Sequence, residues 1–481
     1  MKKAVLAVVL GMAATVGAGE PRIEMYQTCE GDSLRRIDDF IPFSPHRAVS
    51  VPVLDLDAAK PSHVWKGLGV SFAEASCKIL SKLSAEDREK VLRMVFTREG
   101  AGLTMGRIQA GCSDYSAHVY TYDDEPDDFE LKHFSIDEDR KYVLPVIKEA
   151  QRINPDIFFF GSVWTPPAWM KLGRELCGGW IDAARLPVFC DYYVKFLQAY
   201  AREGIKVSAI SAQNEPYSDQ DGESPECKWG PNEEMAFIAK LMPPRLKAAG
   251  LDTVMWMNDG EPHDWRQVVS ELDDPEVRKH TGGIAWHSYG PDPTAYLAEV
   301  RKRYPEVPMY HTEMGPHLDG SRTITWWGRK FTPFVNGGCS ALTSWCLALD
   351  PNGLPNTSRG FNCAGFIEVE PGQVRANIRP SAQWKFFRHI GPYVDAGAQV
   401  LSTDYADQTV YHSAGPMNER FVMAFRNPDG SYVIVATNTH GAMDRKLQLQ
   451  VKLGGKYTWF QLPSKSVSTI VIRVGAEGRQ L

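Results

Sequence analysis

Two acidic residues stand where apolar runs stop. Ser208-Ala209-Ile210-Ser211-Ala212-Gln213 leads into Asn214-Glu215-Pro216-Tyr217, and Tyr310-His311-Thr312 leads into Glu313-Met314-Gly315. Proline cannot donate to a strand ladder, so Pro216 ends the first run and leaves Glu215 at a rigid strand end. One such carboxylate can be a solvated loop charge. Two that face each other across a cleft suit acid-assisted cleavage of a glycosidic bond. One protonates the leaving oxygen while the other attacks the anomeric carbon, at a separation of about 5–5.5 Å.

The elements that must hold these acids can be read from the chain. Strand-like runs fall near 67–72, 103–110, 156–164, 206–213, 253–258, 284–289, 307–313 and 339–347. Helical patterns fall near 84–97, 138–153, 187–203, 233–249 and 323–334. Ser84 with Glu86 and Asp87 caps the first helix, and Gly250 stands where a C-terminal cap belongs. Eight continuous apolar strands, mostly alternating with helices, predict an α/β fold of the (β/α)8 TIM-barrel type over 66–390. A doubly wound sheet is the alternative, but no Gly-x-Gly-x-x-Gly follows the first strand. From 391 to 481 the runs are short and separated by turn residues such as Pro428-Asp429-Gly430, with strands expected at 409–413, 420–426, 432–438, 447–451, 457–462 and 468–473. This predicts a small antiparallel β-sandwich domain, which short strands within 19–65 would complete.

A barrel of this kind builds its site at the C-terminal strand ends. The polar and aromatic residues there are Arg107 and Asp114 (second strand), Trp164 (third), Asn214 and Glu215 (fourth), His287 and Tyr289 (sixth), Glu313 (seventh) and Trp345 (eighth). Arg107 would keep Glu313 ionised, whereas Glu215 would need a less solvated setting that raises its pKa. Asn214 could bond a sugar 2-hydroxyl. His311 shares a strand face with Glu313 and is expected to be structural.

Several segments in order resemble glycoside hydrolase family 30, and within it the glucosylceramidase-like branch. They are Gly106-Arg107-Ile108 through Asp114-Tyr115 to Tyr120-Thr121-Tyr122, Trp164-Thr165-Pro166-Pro167-Ala168-Trp169, Asn214-Glu215-Pro216, His287-Ser288-Tyr289, Thr312-Glu313 and Trp345-Cys346-Leu347. The resemblance implies a retaining β-glycosidase with Glu215 as acid/base and Glu313 as nucleophile, and with Arg107, Asp114, Trp164, Asn214, His287, Tyr289 and Trp345 around the −1 sugar. It implies a β-linked glucoside, glycan or glycolipid substrate and no cofactor or metal. Glucosylceramide-type β-glucosides, a β-1,6-glucan, β-xylosides and β-fucosides all stay open. The chain departs from relatives in the loop Gly353-Leu354-Pro355-Asn356-Thr357, where they often carry Gly-Gly-Pro-Asn-Trp, and at Gly360, where some have Asn. That loop bears on the aglycone.

The 481 residues carry a formal net charge of −6 and 43% hydrophobic residues, which gives no electrostatic footprint for nucleic acid. No H-E-x-x-H or G-x-S-x-G stands at a strand end, so metallohydrolase and serine-hydrolase readings lack their residues. A non-catalytic carbohydrate-binding protein would keep the tryptophans but has no need of opposed acids. Nine cysteines show no C-x-x-C spacing; most read as small core residues, and one or two disulfides are open. Asp123-Asp124-Glu125 and Asp127-Asp128 read as a solvated acidic loop. Lys2-Lys3, an apolar run 4–16 and small residues at 16 and 18 read as a signal peptide covering 1–18, and no later run is long enough to span a bilayer. The expected outcome of N-terminal sequencing of the exported protein is a mature chain starting just after Ala18.

Overall fold

In the computed structural model the barrel strands are β1 (Gly67–Ser71), β2 (Met105–Gln109), β3 (Phe158–Ser162), β4 (Val207–Ser211), β5 (Val254–Gly260), β6 (Thr281–His287), β7 (Met309–Glu313) and β8 (Cys339–Ser344). The structure describes residues 21–474 apart from 50, 219–221, 358–360, 404, 406–410, 413–414, 417–420 and 441–445, so the segment 1–18 expected to be a signal peptide and Gly360 lie outside the described residues. Each strand pairs in parallel with the next, and β8 closes on β1 with Ala341 opposite Gly67 and Ser344 opposite Val70.

Residues two apart on a strand share a face. The inward positions therefore form layers. The lower layer is apolar: Met105, Phe160, Trp256 and Tyr310 pack with Ala209, Ala285 and Ala341. Trp256 stacks on Tyr310 with ring centroids 4.2 Å apart, and the small alanines give these rings room. One step up the same strands come Arg107, Ser162, Ser211 and His287. The barrel thus changes from dry to polar within one pleat.

The helices deviate from expectation for identifiable reasons. Ser84 caps Ala85–Phe96 by accepting the Asp87 N–H. The run expected at 233–249 is a helix Pro231–Ala236, a π-helical turn Phe237–Leu241 and a helix Met242–Ala249 that ends on Gly250 with φ +66°. Pro243 and Pro244 have no N–H to give, so the ladder widens before them. Helices Trp265–Leu272, Pro275–His280 and Thr294–Arg303 lie between β5 and β7, where the sequence was read only for strands.

The β-domain draws on both ends of the chain. Its larger sheet runs in the order Arg35–Ile37, Arg22–Cys29, Ser466–Arg473, Tyr432–Asn438, Phe421–Arg426, Gln399–Ser402, Lys60–Val64. Its smaller sheet is Ile41–Ser44, Lys456–Leu462, Leu447–Leu453, Val53–Asp55. Alternate residues serve two cores: Ile434, Ala436, Ile470 and Ile472 face the inter-sheet core, while Val433, Val435, Val467 and Val471 join the barrel's core. Both faces are covered, so these strands read as continuous apolar runs. The barrel meets the sheet through helix Ile324–Gly337 (after β7), where a side chain at Gly328 would fall 2.0 Å from Thr437. The strand expected at 409–413 falls largely outside the described residues, and Gln399–Ser402 was not anticipated. All nine cysteines are unpaired, and six of them are buried.

His389 bolts the two parts together. Its ring sits between Thr469 Oγ1 and Thr28 Oγ1, each at 2.9 Å, and burial depresses its pKa to about 3. His389→Ala is expected to remove about 2–4 kcal/mol of stability at pH 7 by leaving a hole and depriving the buried Thr28 hydroxyl of its imidazole partner, while Thr469 keeps its bond to the carbonyl of residue 389. A histidine held neutral stabilises the fold above its ordinary pKa of 6.5 and loses that contribution as pH falls toward 3. The variant should therefore unfold less steeply with acid across that window, as read by denaturant melts.

Candidate active site

Arg107 rises from the inward face of β2 directly above Met105, with no exposed surface. One guanidinium nitrogen donates to Glu313 Oε2. Another lies 2.8 Å from Asp259 Oδ2, 2.8 Å from Asn214 Oδ1 and 2.9 Å from Ser162 Oγ. The guanidinium also lies 4.6 Å from the Trp164 ring, which stacks on Trp345 at 5.1 Å. A buried cation is tolerable only when paired and hydrogen-bonded, and this one is paired twice.

Asp259 is the residue the sequence reading missed. Strand five was expected to stop at Asn258, which left Asp259 out of the residues collected at strand ends. Instead β5 continues through Gly260, with left-handed φ values of +71° at Asn258 and +47° at Asp259 and a register shift against β6. The carboxylate accepts from Arg107, from Ser211 Oγ at 2.5 Å and from Thr312 Oγ1 at 2.7 Å, with His287 Nε2 at 3.3 Å. Burial works against its charge, but Arg107 and His287 hold its pKa below the usual carboxylate range. The signal was the one used for strands four and seven: an acid closing an apolar run.

His287 bridges the two halves of the site. Its Nδ1 lies 2.9 Å from Glu215 Oε1, and its Nε2 lies near Asp259 and 3.9 Å from Glu313. Burial favours the neutral ring, but the surrounding carboxylates outweigh it and raise the pKa to about 10, so the ring carries a charge and donates from both nitrogens. Tyr289 donates to Glu313 Oε1 at 2.9 Å, while its backbone is fixed by Glu261. Asn214 uses its Oδ1 on Arg107, which turns its amide nitrogen the other way. Asp114 is half-buried with one buried carboxylate oxygen unpartnered, and desolvation followed by repulsion from Glu313 and Glu215 raises its pKa. It is thus a ready partner for a ligand hydroxyl. Trp345 likewise buries an unpartnered Nε1.

His311 lies outside this constellation. Its Nε2 lies 2.8 Å from Ser288 Oγ and its Nδ1 accepts the Thr343 N–H. All the strand-end residues singled out from sequence converge here. Thr357, standing where relatives often have Trp, pins its loop to the backbone oxygen of Asp114.

One electrostatic expectation needs correction. Glu215 was to be the desolvated acid and Glu313 the one held ionised. In fact Glu313 is the deeper, its side chain 8% exposed against 17% for Glu215. Burial pushes the Glu313 carboxyl up, while His287, Arg107 and the Tyr289 hydrogen bond pull against that rise. Glu313 is the last residue of β7 and sits on the polar floor, whereas Glu215 follows the end of β4 at Ser211 and lies nearer the surface.

Among the described residues, Glu215, His287 and Glu313 are also the only three acidic, His or Cys side chains close enough to hold a metal ion. The cation already on Glu313 is Arg107.

The profile described as "Glycosyl hydrolase family 30 TIM-barrel domain" matches residues 65–373, and the companion "beta sandwich domain" profile matches 410–470. The chain belongs to glycosyl hydrolase family 30. It is 29% identical to an endo-1,6-beta-D-glucanase of Neurospora crassa over 78% of this chain and 79% of that one. It is also 29% identical to the lysosomal acid glucosylceramidase of Mus musculus, over 80% and 77%. SrfJ from Salmonella typhimurium has the same fold, with a TM-score of 0.82 at 24% identity over 93% of this chain and 99% of that one. The family is one of glycosidases, and the chain is an enzyme of that class.

Asp259→Asn keeps the shape but leaves Arg107 and His287 short of a countercharge. The expected result is a kcat lower by about 100-fold, equivalent to about 2.7 kcal/mol, with an unchanged far-UV circular dichroism spectrum.

Proposed function

We propose that this protein is an exported, retaining β-glycosidase that cleaves β-glucosidic bonds by double displacement. The observation that carries the reading is spacing. A carboxylate oxygen of Glu215 and one of Glu313 lie within 4.8 Å of each other. That fits the roughly 5–5.5 Å of retaining pairs and falls short of the ~6.5–9.5 Å that inverting enzymes need to seat a water.

In this reading Glu313 attacks the anomeric carbon while Glu215 gives its proton to the glycosidic oxygen, and the bond to the aglycone breaks. Glu215 then takes a proton from water, which attacks the same carbon and frees Glu313. Arg107 and Tyr289 each hold one oxygen of the nucleophile, and His287 orients Glu215. Trp164 and Trp345 supply an apolar wall, and Asp114 and Asn214 take sugar hydroxyls.

Two curated relatives at equal identity carry names that share a glucosyl unit, β-linked in the glucanase's name, which supports glucose in the −1 site. A glucosylceramide-type substrate is the first reading, and a β-1,6-glucan is the second, favoured by the match to the glucanase over most of both chains. Export rests on Lys2-Lys3 and the apolar run behind them. Among the described residues no helix is long and apolar enough to cross a membrane.

Glu313→Gln is expected to lower kcat by about 10⁴-fold or more while sugar binding persists, which separates an enzyme from a lectin. Glu215→Ala should hydrolyse activated aryl glucosides with rescue by azide. Proton NMR of a glucosylceramide, a β-1,6-glucan and aryl β-glycosides should show the β-anomer released first. Initial release of the α-anomer would refute double displacement.

A further inference from the structure

Two residues past Glu215, the loop enters a second group of acids that the reaction above does not use. Tyr217 Oη lies 2.7 Å from Glu234 Oε2 and 2.7 Å from Glu271 Oε1. Glu234 and Glu271 come from helices Pro231–Ala236 and Trp265–Leu272 and are only 2% and 1% exposed. Glu234 Oε1 accepts the backbone N–H of Asn258 at 2.7 Å, one residue before Asp259. Gln267 Nε2 donates to Glu271 Oε1 at 3.0 Å. The other titratable groups facing the pair are Tyr217 and Asp259, and among the described residues no Lys, Arg or His pairs with either acid.

The proton count follows from geometry. A tyrosine has one O–H, so it can donate to only one of two carboxylates. Both 2.7 Å contacts are hydrogen bonds only if one carboxyl is protonated and donates to Oη. Two buried ionised acids without a cation would repel each other in a medium that solvates neither. What the group holds also needs holding. Glu215, Asn258 and Asp259 have φ of +48°, +71° and +47°, a region that side-chain-bearing residues avoid, and all three lie on the two segments that Glu234 ties together.

We propose that Glu234 and Glu271 share one proton and, through the Tyr217 hydroxyl and the Asn258 N–H, clamp the Glu215 turn to the Asp259 hub. Both acids are positioning residues for the reaction. The inference rests on Glu215 being the acid/base. Burial and then the charge of Glu234 push Glu271 up to about 9, and burial also raises Glu234, so the clamp stays closed at neutral pH.

The test uses the full-length protein. Infrared spectra at pH 7 should contain a protonated-carboxyl C=O stretch that is lost in Glu271→Gln. Glu271→Ala should lower kcat at least tenfold with KM nearly unchanged, and Glu271→Gln, whose amide can donate in place of the acid, should recover most of it. Tyr217→Phe, which removes a single oxygen, should lower kcat likewise while melting close to wild type. An unchanged carboxyl band in Glu271→Gln, equal kcat in the Ala and Gln variants, or a wild-type kcat in Tyr217→Phe would each overturn the clamp. A wrong role for Glu215 would show instead as failed azide rescue in Glu215→Ala, which none of these variants enters.

Discussion

The buried pair between Arg107 and Asp259 governs how the rest of the site is built. A guanidinium with no contact to water needs an anion beside it, and the neighbouring strands alone would supply only hydroxyls. β5 provides the anion by leaving regular geometry at Asn258 and Asp259. With Asp259 in place, the spare valence of Arg107 turns to Glu313 and the second oxygen of Asp259 turns to His287. Two cations then stand among the acids, a preorganised setting of the kind that stabilises a developing charge without solvent having to reorganise.

That polar layer is precise because the layer beneath it cannot move. The rings of Phe160, Trp256 and Tyr310, the last two stacked and the first tilted against Trp256, fill the barrel one pleat below, and close packing transmits any displacement. The β-domain adds rigidity from outside. Its larger sheet lies on helix Ile324–Gly337, which leads from β7 to β8, so the strand carrying Glu313 is braced by residues far along the chain.

Much of this was legible in the sequence. Apolar runs of strand length alternating with helical periodicity mark a parallel sheet covered on both faces, and counting them placed Glu215 and Glu313 at the mouth of one barrel. What escaped was whatever depends on local exceptions. Asp259 was hidden by its own backbone, since Asp-Gly is ordinary turn chemistry and only tertiary pairing with Arg107 keeps it in a strand. Burial depth escaped too: two glutamates that close apolar runs look alike in sequence, yet Glu313 is the last residue of β7 whereas Glu215 lies beyond the end of β4 at Ser211. The strand Arg22–Cys29 was underrated because its polar residues alternate with apolar ones, although it pairs along its full length with Ser466–Arg473.

That last pairing sets the order in which the molecule can be completed. Gln27 meets Ser468 across a separation of 441 positions. The strand Ser466–Arg473 sits between Arg22–Cys29 and Tyr432–Asn438, so it is the wedge that joins the two ends into one sheet. During synthesis the first strand therefore leaves the ribosome with no long partner and waits for nearly the whole chain to follow. Contacts of such long range form slowly. The sheet that braces the barrel therefore cannot close before Ser466–Arg473 has been made, and the order of Arg22–Cys29 waits on it.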